Sequence, residues 1–192
     1  MREPGTAQRI AAQARRILQE EGAEAVSMRR VGEAVGITAM AIYRHYPNRQ
    51  ALLRAVADAV SAELAASWRD LPKDGDLEER ISALQDAFLD FALGSPHLYR
   101  FLMFDRWEEA RSFPEDFQAG DGPFHVVADL VAEAMAAGFL RGDDPMEVTL
   151  AVTAGSQGLI GLYLSGRVGM KEDDFRALCH RTTRRLIAGL RA

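Results

Sequence analysis

Cysteine is nearly absent from this chain of 192 residues, which contains only Cys179. A single thiol excludes an internal disulfide and is typical of a reducing compartment. The opening segment, MREPGTAQRI, has no apolar run, so we expect no secretory signal and a cytoplasmic protein. The histidines are also few and lie far apart, at His45, His97, His125 and His180. With no histidine pair spaced by four residues and only one cysteine, we predict neither a metal site nor a bound cofactor.

Long hydrophobic runs are scarce as well, with one exception. Residues 148–166 carry no charged side chain and are almost long enough to cross a bilayer. Four glycines and the polar residues Thr149, Thr153, Ser156 and Gln157 dilute the hydrophobicity of this run below what insertion requires. We therefore predict a helix that is buried among other helices, rather than a membrane span.

A strand pattern is missing too, and this bears on enzymatic function. The segment AGSQG at residues 154–158 looks like the alanine variant of the G-x-S-x-G nucleophile elbow. That motif needs a strand, a turn and a helix in an α/β sheet, so that its serine is strained and exposed. Because the chain shows no convincing strand, we predict that it is not an enzyme.

What the chain does contain is helical periodicity from end to end. Apolar residues recur at spacings of three and four in nearly every segment, which predicts an all-α fold of about nine helices. Before the fifth helix, Asp76 and Glu79 form the signature of a capping box. In the last helix, the same periodicity predicts a buried stripe of Phe175, Leu178, Thr182, Leu186 and Gly189.

Residues 27–49, SMRRVGEAVGITAMAIYRHYPNR, contain two short helical patterns joined at one glycine. Ser27 is a good N-cap for the first pattern. Gly36 supplies the turn, because a helix stops this sharply only at a residue that tolerates positive φ. Thr38 caps the second helix, Ile42 anchors it in the core, and Pro47 closes the element. This spacing predicts a helix-turn-helix, an element that reads the major groove of DNA.

The second helix of this element presents one outward face. Met40, Tyr43 and Arg44 lie at positions i, i+3 and i+4, so we assign them to the major groove, and we assign Ala39 to a thymine methyl group. His45 has two open interpretations, a phosphate contact or a filler of the junction between the second and fourth helices. Phosphate contacts are expected mainly from Ser27, Arg29, Thr38, His45, Asn48 and Arg49.

The division of charge also points to double-stranded DNA as a partner. The first 60 residues carry nine arginines and six acids, a net charge of +3. The whole chain has a net charge of −5, so the remainder carries −8. Phosphates repel an acidic body and attract the basic end, and this difference orients the approach to DNA.

The segment from Arg9 to Leu53 resembles the N-terminal domain of the TetR family of transcriptional regulators. The resemblance is carried by Gly22, by SMR at residues 27–29, by VGIT at 35–38 and by YRHYPNR at 43–49. Gly32 stands where the family usually has alanine, and a glycine inside a helix costs roughly 1 kcal/mol relative to alanine. The resemblance implies a regulator that binds DNA.

The body of the chain also resembles this family, through SPHLYRFLMF, AAGFLRGDDP and VTAGSQGLIGL. In one branch a Trp and a His-Gly pair recur on the eighth helix. Here Thr153 and Gln157 occupy the Trp and His positions, and Gly158 is retained. Similar regulators dimerise through their last two helices and hold a small effector inside the body. The resemblance therefore implies a homodimer with residues 1–50 as the helix-turn-helix domain, 51–192 as the helical effector-binding and dimerisation domain, and 48–68 as the connecting helix.

Two further sets of residues are expected in the body. The residues alone leave two interpretations of an aromatic cluster in the body, part of the core or the lining of a pocket. The resemblance favours a ligand site, at Phe101, Phe104, Trp107, Phe117, Phe124, Thr153 and Gln157. A strip of small residues in the eighth helix would let another backbone approach closely. Together with the last helix, it predicts a dimer interface at Ala151, Gly155, Gly158, Leu178, Thr182 and Leu186.

These observations predict a repressor that binds a near-palindromic operator and is released when a small-molecule effector enters its body. The alternative is a DNA-binding architectural protein whose body is filled and binds no ligand. A cavity among the fifth to eighth helices would distinguish the two.

Overall fold

The structure is a computed structural model that describes residues 5–105 and 120–192. These residues form nine α-helices and one short 3-10 helix, and their only strand-like pairing is an isolated bridge between Leu140 and Arg191. The all-α prediction is confirmed. No helix in these residues is both long enough and apolar enough to cross a bilayer. In chain order the helices are α1 (Thr6–Glu21), the 3-10 helix (Ala23–Ala25), α2 (Met28–Val35), α3 (Ala39–Tyr43), α4 (Arg49–Arg69), α5 (Leu77–Gly94), α6 (Pro96–Met103), α7 (Pro123–Ala136), α8 (Pro145–Leu164) and α9 (Glu172–Gly189).

The chain divides into two compact units. The first unit comprises residues 1–63 and 95–116, and the second comprises residues 64–94 and 117–192. Among the described residues, the first unit therefore contains α1, α2, α3, α6 and most of α4, and the second contains α5, α7, α8 and α9. The functional division near residue 50, with 48–68 as a connecting helix, stays a prediction.

The core of the first unit is built by helices whose apolar residues recur every three or four positions. The buried residues of α1, α3 and α4 include Ile10, Ala14, Ile17, Ile42, Leu52, Leu53 and Val56, as their spacing predicts. Helix α6 packs against α1 in the same unit and buries Leu98, Tyr99 and Phe101. At this junction the Gln19 side-chain amide donates to Ser95 Oγ over 3.2 Å. A helix that follows α5 in sequence therefore completes the core around α1.

Gly32 is the point at which α2 meets the turn that leads to α3. The Ile37 amide donates to the Gly32 carbonyl over 2.9 Å. A β-carbon on Gly32 would lie 2.8 Å from the Ile37 carbonyl oxygen, closer than real β-carbons come to such an atom. An alanine here would force the turn to shift, and this strain opposes the gain expected from alanine's higher helix propensity. The expected cost of glycine relative to alanine stays a prediction.

The second unit is held together by α7, α8 and α9 around a common apolar cluster. Its buried members are Val131, Ala134, Leu140, Val148, Val152 and Ile187. Helix α5 packs against the same helices and begins with the predicted capping box. The Glu79 amide donates to Asp76 Oδ1 over 2.9 Å, and the Asp76 amide donates to Glu79 Oε2 over 3.2 Å. The capping box is confirmed.

The buried stripe of α9 differs from the predicted one. The side chains that α9 buries are Phe175, Cys179, Thr183 and Ile187. Of the other predicted members, Leu178 and Thr182 are half-buried. Leu186 and Gly189 are exposed. Thr183 is tolerated inside because its hydroxyl donates to Gln85 Oε1 over 2.6 Å, which satisfies a polar group in the core. Hydrophobic periodicity could not anticipate that a threonine would find this acceptor.

Candidate nucleic-acid interface

The turn between α2 and α3 has the geometry that the sequence predicts. Gly36 ends α2 with a φ of +79°, in the left-handed region that favours glycine. Ile42 on α3 is fully buried and Ile37 is half-buried. Ile42 therefore fixes which side of α3 faces the core, and the opposite side of the helix faces solvent.

Three polar side chains begin the helices of this element. Ser27 Oγ, Thr38 Oγ1 and Asn48 Oδ1 each accept the amide hydrogen of the residue three positions on, over 3.2, 3.2 and 2.7 Å. All three residues are exposed. In each cap the side-chain oxygen acts only as an acceptor. The hydroxyl hydrogens of Ser27 and Thr38 and the side-chain NH₂ of Asn48 can therefore be donated to other acceptors.

The outward face of α3 carries large side chains that the protein does not bury. Met40 is 72% exposed and Tyr43 is 47% exposed. Arg44 follows Tyr43 in right-handed helical conformation and is exposed, whereas Ala39 is half-buried. Met40 and Tyr43 are three residues apart on one helix, so they share this exposed face.

Arg49 is engaged inside the protein. Its Nε donates to the Val26 carbonyl over 2.7 Å, and its Nη2 donates to the Ala23 carbonyl over 2.5 Å. These bonds join the first turn of α4 to the segment that precedes α2. The predicted phosphate contact of Arg49 stays a prediction, because the structure shows this guanidinium as a tie between two segments of the element.

His45 and Tyr46 follow α3 and have different surroundings. The His45 side chain is exposed, which favours a phosphate contact over the interpretation as a junction filler. Tyr46 is half-buried, and its hydroxyl donates to the Ala7 carbonyl over 3.1 Å. Burial raises the pKa of the Tyr46 phenol above its ordinary value. Tyr46 therefore joins this element to α1, a role that its sequence position did not reveal.

Ion pairs occupy most of the other arginines that the structure describes in the first unit. Arg29 pairs with Glu33 over 3.5 Å on the surface of α2. Arg30 binds Glu21 through two hydrogen bonds, which hold the pKa of the Glu21 carboxyl below its ordinary value and raise the pKa of Arg30. Arg29 is 85% exposed in its side chain, so a phosphate can compete with Glu33 for it.

The predicted ligand residues are divided between the two units. Phe101 is buried on α6 and Phe104, just after it, is about half exposed, and both belong to the first unit. In the second unit Thr153 Oγ1 donates to the Thr149 carbonyl over 2.7 Å, within its own helix. Three predicted residues of the second unit are half-buried, namely Phe124, Thr153 and Gln157. Trp107 and Phe117 lie outside the described residues, and the ligand site stays a prediction.

The predicted dimer residues lie on α8 and α9 with graded exposure. On α8, Ala151 and Gly158 are exposed, and Leu150 and Leu162 are each more than 40% exposed. On α9, Leu178 and Thr182 are half-buried. A shallow groove of about 260 Å³ lies between the two helices, and it is lined by Ala151, Val152, Arg185, Leu186, Gly189 and Leu190. The outer side of α8 is thus apolar and open, so the helix is buried along one side rather than all round.

Within residues 5–105 and 120–192, no three His, Cys, Asp or Glu side chains lie close enough together to bind a metal ion.

Two protein families match this chain. Residues 10–56 match the family described as bacterial regulatory proteins, tetR family. Residues 81–186, more than half of the chain, match the family described as tetracyclin repressor-like, C-terminal domain. The first match covers α2, α3 and the face that exposes Met40 and Tyr43, and the second covers most of α5 through α9.

Other proteins are similar to this chain in sequence or in fold. The nucleoid occlusion factor SlmA of Glaesserella parasuis is 26% identical over 83 residues, which are 43% of this chain and 41% of that protein. A protein of unknown function from Rhodococcus sp. RHA1 has a TM-score of 0.79 and 25% identity over 99% of this chain and 98% of its own. A putative tetR family transcription regulator from Shewanella sp. PV-4 has a TM-score of 0.73 and 16% identity over 98% of this chain and 100% of its own. The likeness to solved structures extends over both units.

Proposed function

The chain belongs to the TetR family of DNA-binding transcriptional regulators, and we propose that it is a homodimeric repressor that leaves a near-palindromic operator when a small molecule enters its body. The observation that carries the DNA-binding part is the exposed face of α3 within a helix-turn-helix. That face would enter the major groove, because a recognition helix reads bases with its solvent-facing side chains. Met40, Tyr43 and Arg44 would contact bases, and Ala39 would approach a thymine methyl group.

Phosphates would be bound by the polar residues that surround this face. The spare donors of Ser27, Thr38 and Asn48 lie at the starts of α2, α3 and α4. The exposed side chain of Arg29 lies in the first turn of α2, and that of His45 follows the end of α3. Contacts of this kind fix the register of a protein on DNA without reading its sequence. Arg49 is the last predicted member, and its bonds to Val26 and Ala23 would hold the surrounding segments in place.

Dimerisation would use the open side of α8 together with α9. Leu150, Ala151, Gly158 and Leu162 are exposed among the residues that the structure describes, and a second copy would cover them. The groove beside Leu186 would receive a side chain from that second copy. A two-fold axis makes the same patch meet itself, so the interface must be self-complementary.

Charge along α9 supports an antiparallel pairing of the two α9 helices. Asp174, Leu178, Thr182 and Arg185 recur at spacings of four, four and three, so they share one face. An antiparallel partner would bring Asp174 of one copy toward Arg185 of the other, twice in each dimer. Such symmetry also explains a near-palindromic operator, because the two recognition helices would meet half-sites about one helical turn apart or a multiple of it.

Release would follow if an effector favoured a body conformation with wrongly spaced heads. The predicted ligand residues of the second unit, Phe124, Thr153 and Gln157, would line the site. The protein would act in the cytoplasm, where operator DNA is found. A tenfold loss of DNA affinity requires about 1.4 kcal/mol of coupling, and the operator must then weaken effector binding tenfold as well. A metabolite panel screened by thermal shift, followed by operator release and by effector binding with and without operator, tests both halves. An effector that binds equally well in both cases would remove the regulatory part of the proposal.

An architectural DNA-binding protein with a body that binds no ligand is the second candidate. A relative over two fifths of the chain is named a nucleoid occlusion factor, which is a different task from operator release. This candidate is favoured if no metabolite shifts the melting midpoint, and if binding spreads along DNA without a defined operator.

DNA binding itself is tested by a pair of matched variants. Met40→Glu places a carboxylate on the proposed groove face, and Met170→Glu places the same group on an exposed methionine of the second unit. Met40→Glu should weaken binding to selected duplex DNA by about tenfold or more, because a like charge faces the phosphates, and Met170→Glu should leave it unchanged. Fluorescence anisotropy over a salt series measures both. Equal affinity of the two variants would show that α3 does not face DNA.

A further inference from the structure

Arg44 differs from the other arginines of the first unit. Within residues 5–63 and 95–105, every other arginine pairs with a carboxylate or donates to a backbone carbonyl of its own chain. Arg9 and Arg49 bind carbonyls, and the rest pair with Asp or Glu. Arg44 makes no such contact with these residues, and it is exposed. Its guanidinium thus has all its donors available for a ligand outside the chain.

The rest of the α3 face provides little else that reads a base by hydrogen bonds. Helix α3, with the sequence AMAIY, contains no Asn, Gln, Asp, Glu or Lys, and its exposed side chains are Met40 and Tyr43. Among base edges in the major groove, a guanidinium fits guanine, where it donates to O6 and N7 together. An apolar side chain fits the methyl group of thymine.

The spacing of Met40 and Arg44 along the helix sets the distance between the two bases that they would contact. Residues four apart on one helix have β-carbons about 5–6 Å apart. Successive base pairs are about 3.4 Å apart along the duplex, so the bases that these two side chains reach lie one or two base pairs apart. Arg44 keeps helical dihedral angles, with φ −73° and ψ −21°, so this spacing applies to it.

We propose, on the premise that the protein binds an operator as described above, that Arg44 reads one guanine in each half-site and Met40 packs on a thymine methyl one or two base pairs away. Arg44 is then the charged base reader of the half-site. The remaining discrimination comes from apolar contacts and from the shape of the DNA.

The test begins with selection from a randomised duplex library by the wild-type protein and by Arg44→Ala. Anisotropy titrations then use the selected operator, the same operator with 7-deazaguanine or adenine at the conserved guanine, and one with uracil for the neighbouring thymine. Wild type should lose about 5- to 150-fold in affinity on replacement of guanine by adenine, and part of that loss on removal of N7 alone. Arg44→Ala should bind the guanine and adenine operators within about twofold of each other. Replacing the neighbouring thymine by uracil should weaken operator binding by the wild-type protein but not by Met40→Ala. Uracil lacks only the methyl group, which is the group that Met40 would contact.

Arg16→Ala is the control, because Arg16 lies on α1, is exposed and pairs with Glu20. It should select the wild-type sequence with wild-type affinity. If Arg44→Ala weakens binding to all operators equally and lowers the salt dependence, Arg44 is a phosphate contact and the inference is overturned, while the proposed function stands. A selected half-site without a guanine overturns the inference in the same way. If the wild-type protein retains no defined sequence at all, the proposed function fails together with the inference.

Discussion

The side chain of Leu186 on α9 packs over Gly155 on α8, with its Cδ1 atom 2.8 Å from the position that a β-carbon on Gly155 would occupy. One turn further along α8, Gly158 is exposed, and a β-carbon there would meet nothing within 4 Å. The two glycines of α8 therefore differ. The space beside Gly155 is occupied by a side chain of the same chain, whereas the space beside Gly158 is open among the described residues.

Gly158→Phe should disrupt the proposed dimer without unfolding the protomer. The new ring has room within the unit, but it would project into the surface where a second copy is proposed to pack. Sedimentation should shift from dimer toward monomer, with a melting midpoint that changes only as far as the dimer stabilised it. Gly142→Phe is the control, because Gly142 is also open on its β-carbon side and lies outside α8 and α9. A Gly158→Phe protein that sediments like wild type would contradict the assigned interface.

Reversing charges on α9 tests the proposed antiparallel pairing. Asp174→Arg or Arg185→Asp alone should weaken the dimer, because each places like charges opposite one another twice across the two-fold axis. The double variant should recover most of the loss. Exposed ion pairs contribute about 0.2–1 kcal/mol each, so the dissociation constant of a single variant should rise about 2- to 30-fold. Dimer dissociation constants of all the variants, measured at low and high salt, test the pairing. If the losses of dimer affinity in the two single variants add up in the double variant, this pairing is ruled out.

Gly32→Ala should destabilise the helix-turn-helix, although alanine is the better helix former. Its β-carbon would press against the Ile37 carbonyl oxygen, and overpacking of this kind costs about 1–3 kcal/mol. Gly94→Ala is the matched control at the end of α5, where nothing lies within 4 Å, and it should be neutral or stabilising by up to about 1 kcal/mol. Chemical denaturation measures both. A Gly32→Ala protein at least as stable as wild type would show that the turn relaxes easily.

Arg49→Ala should lower the free energy of unfolding by about 1.5–3 kcal/mol, because hydrogen bonds from a charged group to the Val26 and Ala23 carbonyls are lost. The salt dependence of DNA binding, measured well below the melting midpoint, tests the separate prediction of a phosphate contact. A loss of about one unit in the slope per half-site would support that contact. Arg16→Ala provides the baseline for removal of an exposed, paired arginine. Unchanged stability of Arg49→Ala would contradict the structural role.

Cys179 should be inert in the folded protein. Burial raises the pKa of its thiol from 9.0 to about 11, since the thiolate is poorly solvated on the inner side of α9. The folded pKa exceeds the unfolded value, so the stability linked to this thiol is fully present below pH 9 and is lost as the pH rises toward 11. Reaction with a disulfide reagent at pH 8 should be slow until denaturant is added, and Cys179→Ala should reduce the loss of stability above pH 9. Rapid labelling of the native protein would show that the thiol is accessible.

The sequence by itself determined the features that arise between close neighbours. Ser27, Thr38 and Asp76 each cap a helix through a residue three positions away, and Gly36 ends α2 through its own dihedral angles. Such contacts need no knowledge of the rest of the chain, so residue type and spacing were enough to predict them. The exposed face of α3 followed from the same periodicity, once Ile42 was assigned to the core.

Tertiary structure decided every feature that depends on a distant partner. Thr183 is buried because it meets Gln85, 98 residues away, and Arg49 turns inward because carbonyls 23 and 26 residues away accept its hydrogens. Gly32 is needed only because the turn after α2 brings a carbonyl oxygen against it. Hydrophobic spacing reports which side of a helix is apolar, but not which polar groups will find partners there. Burying a polar group is costly unless it is hydrogen-bonded, so the position of that partner in space fixes where each side chain points.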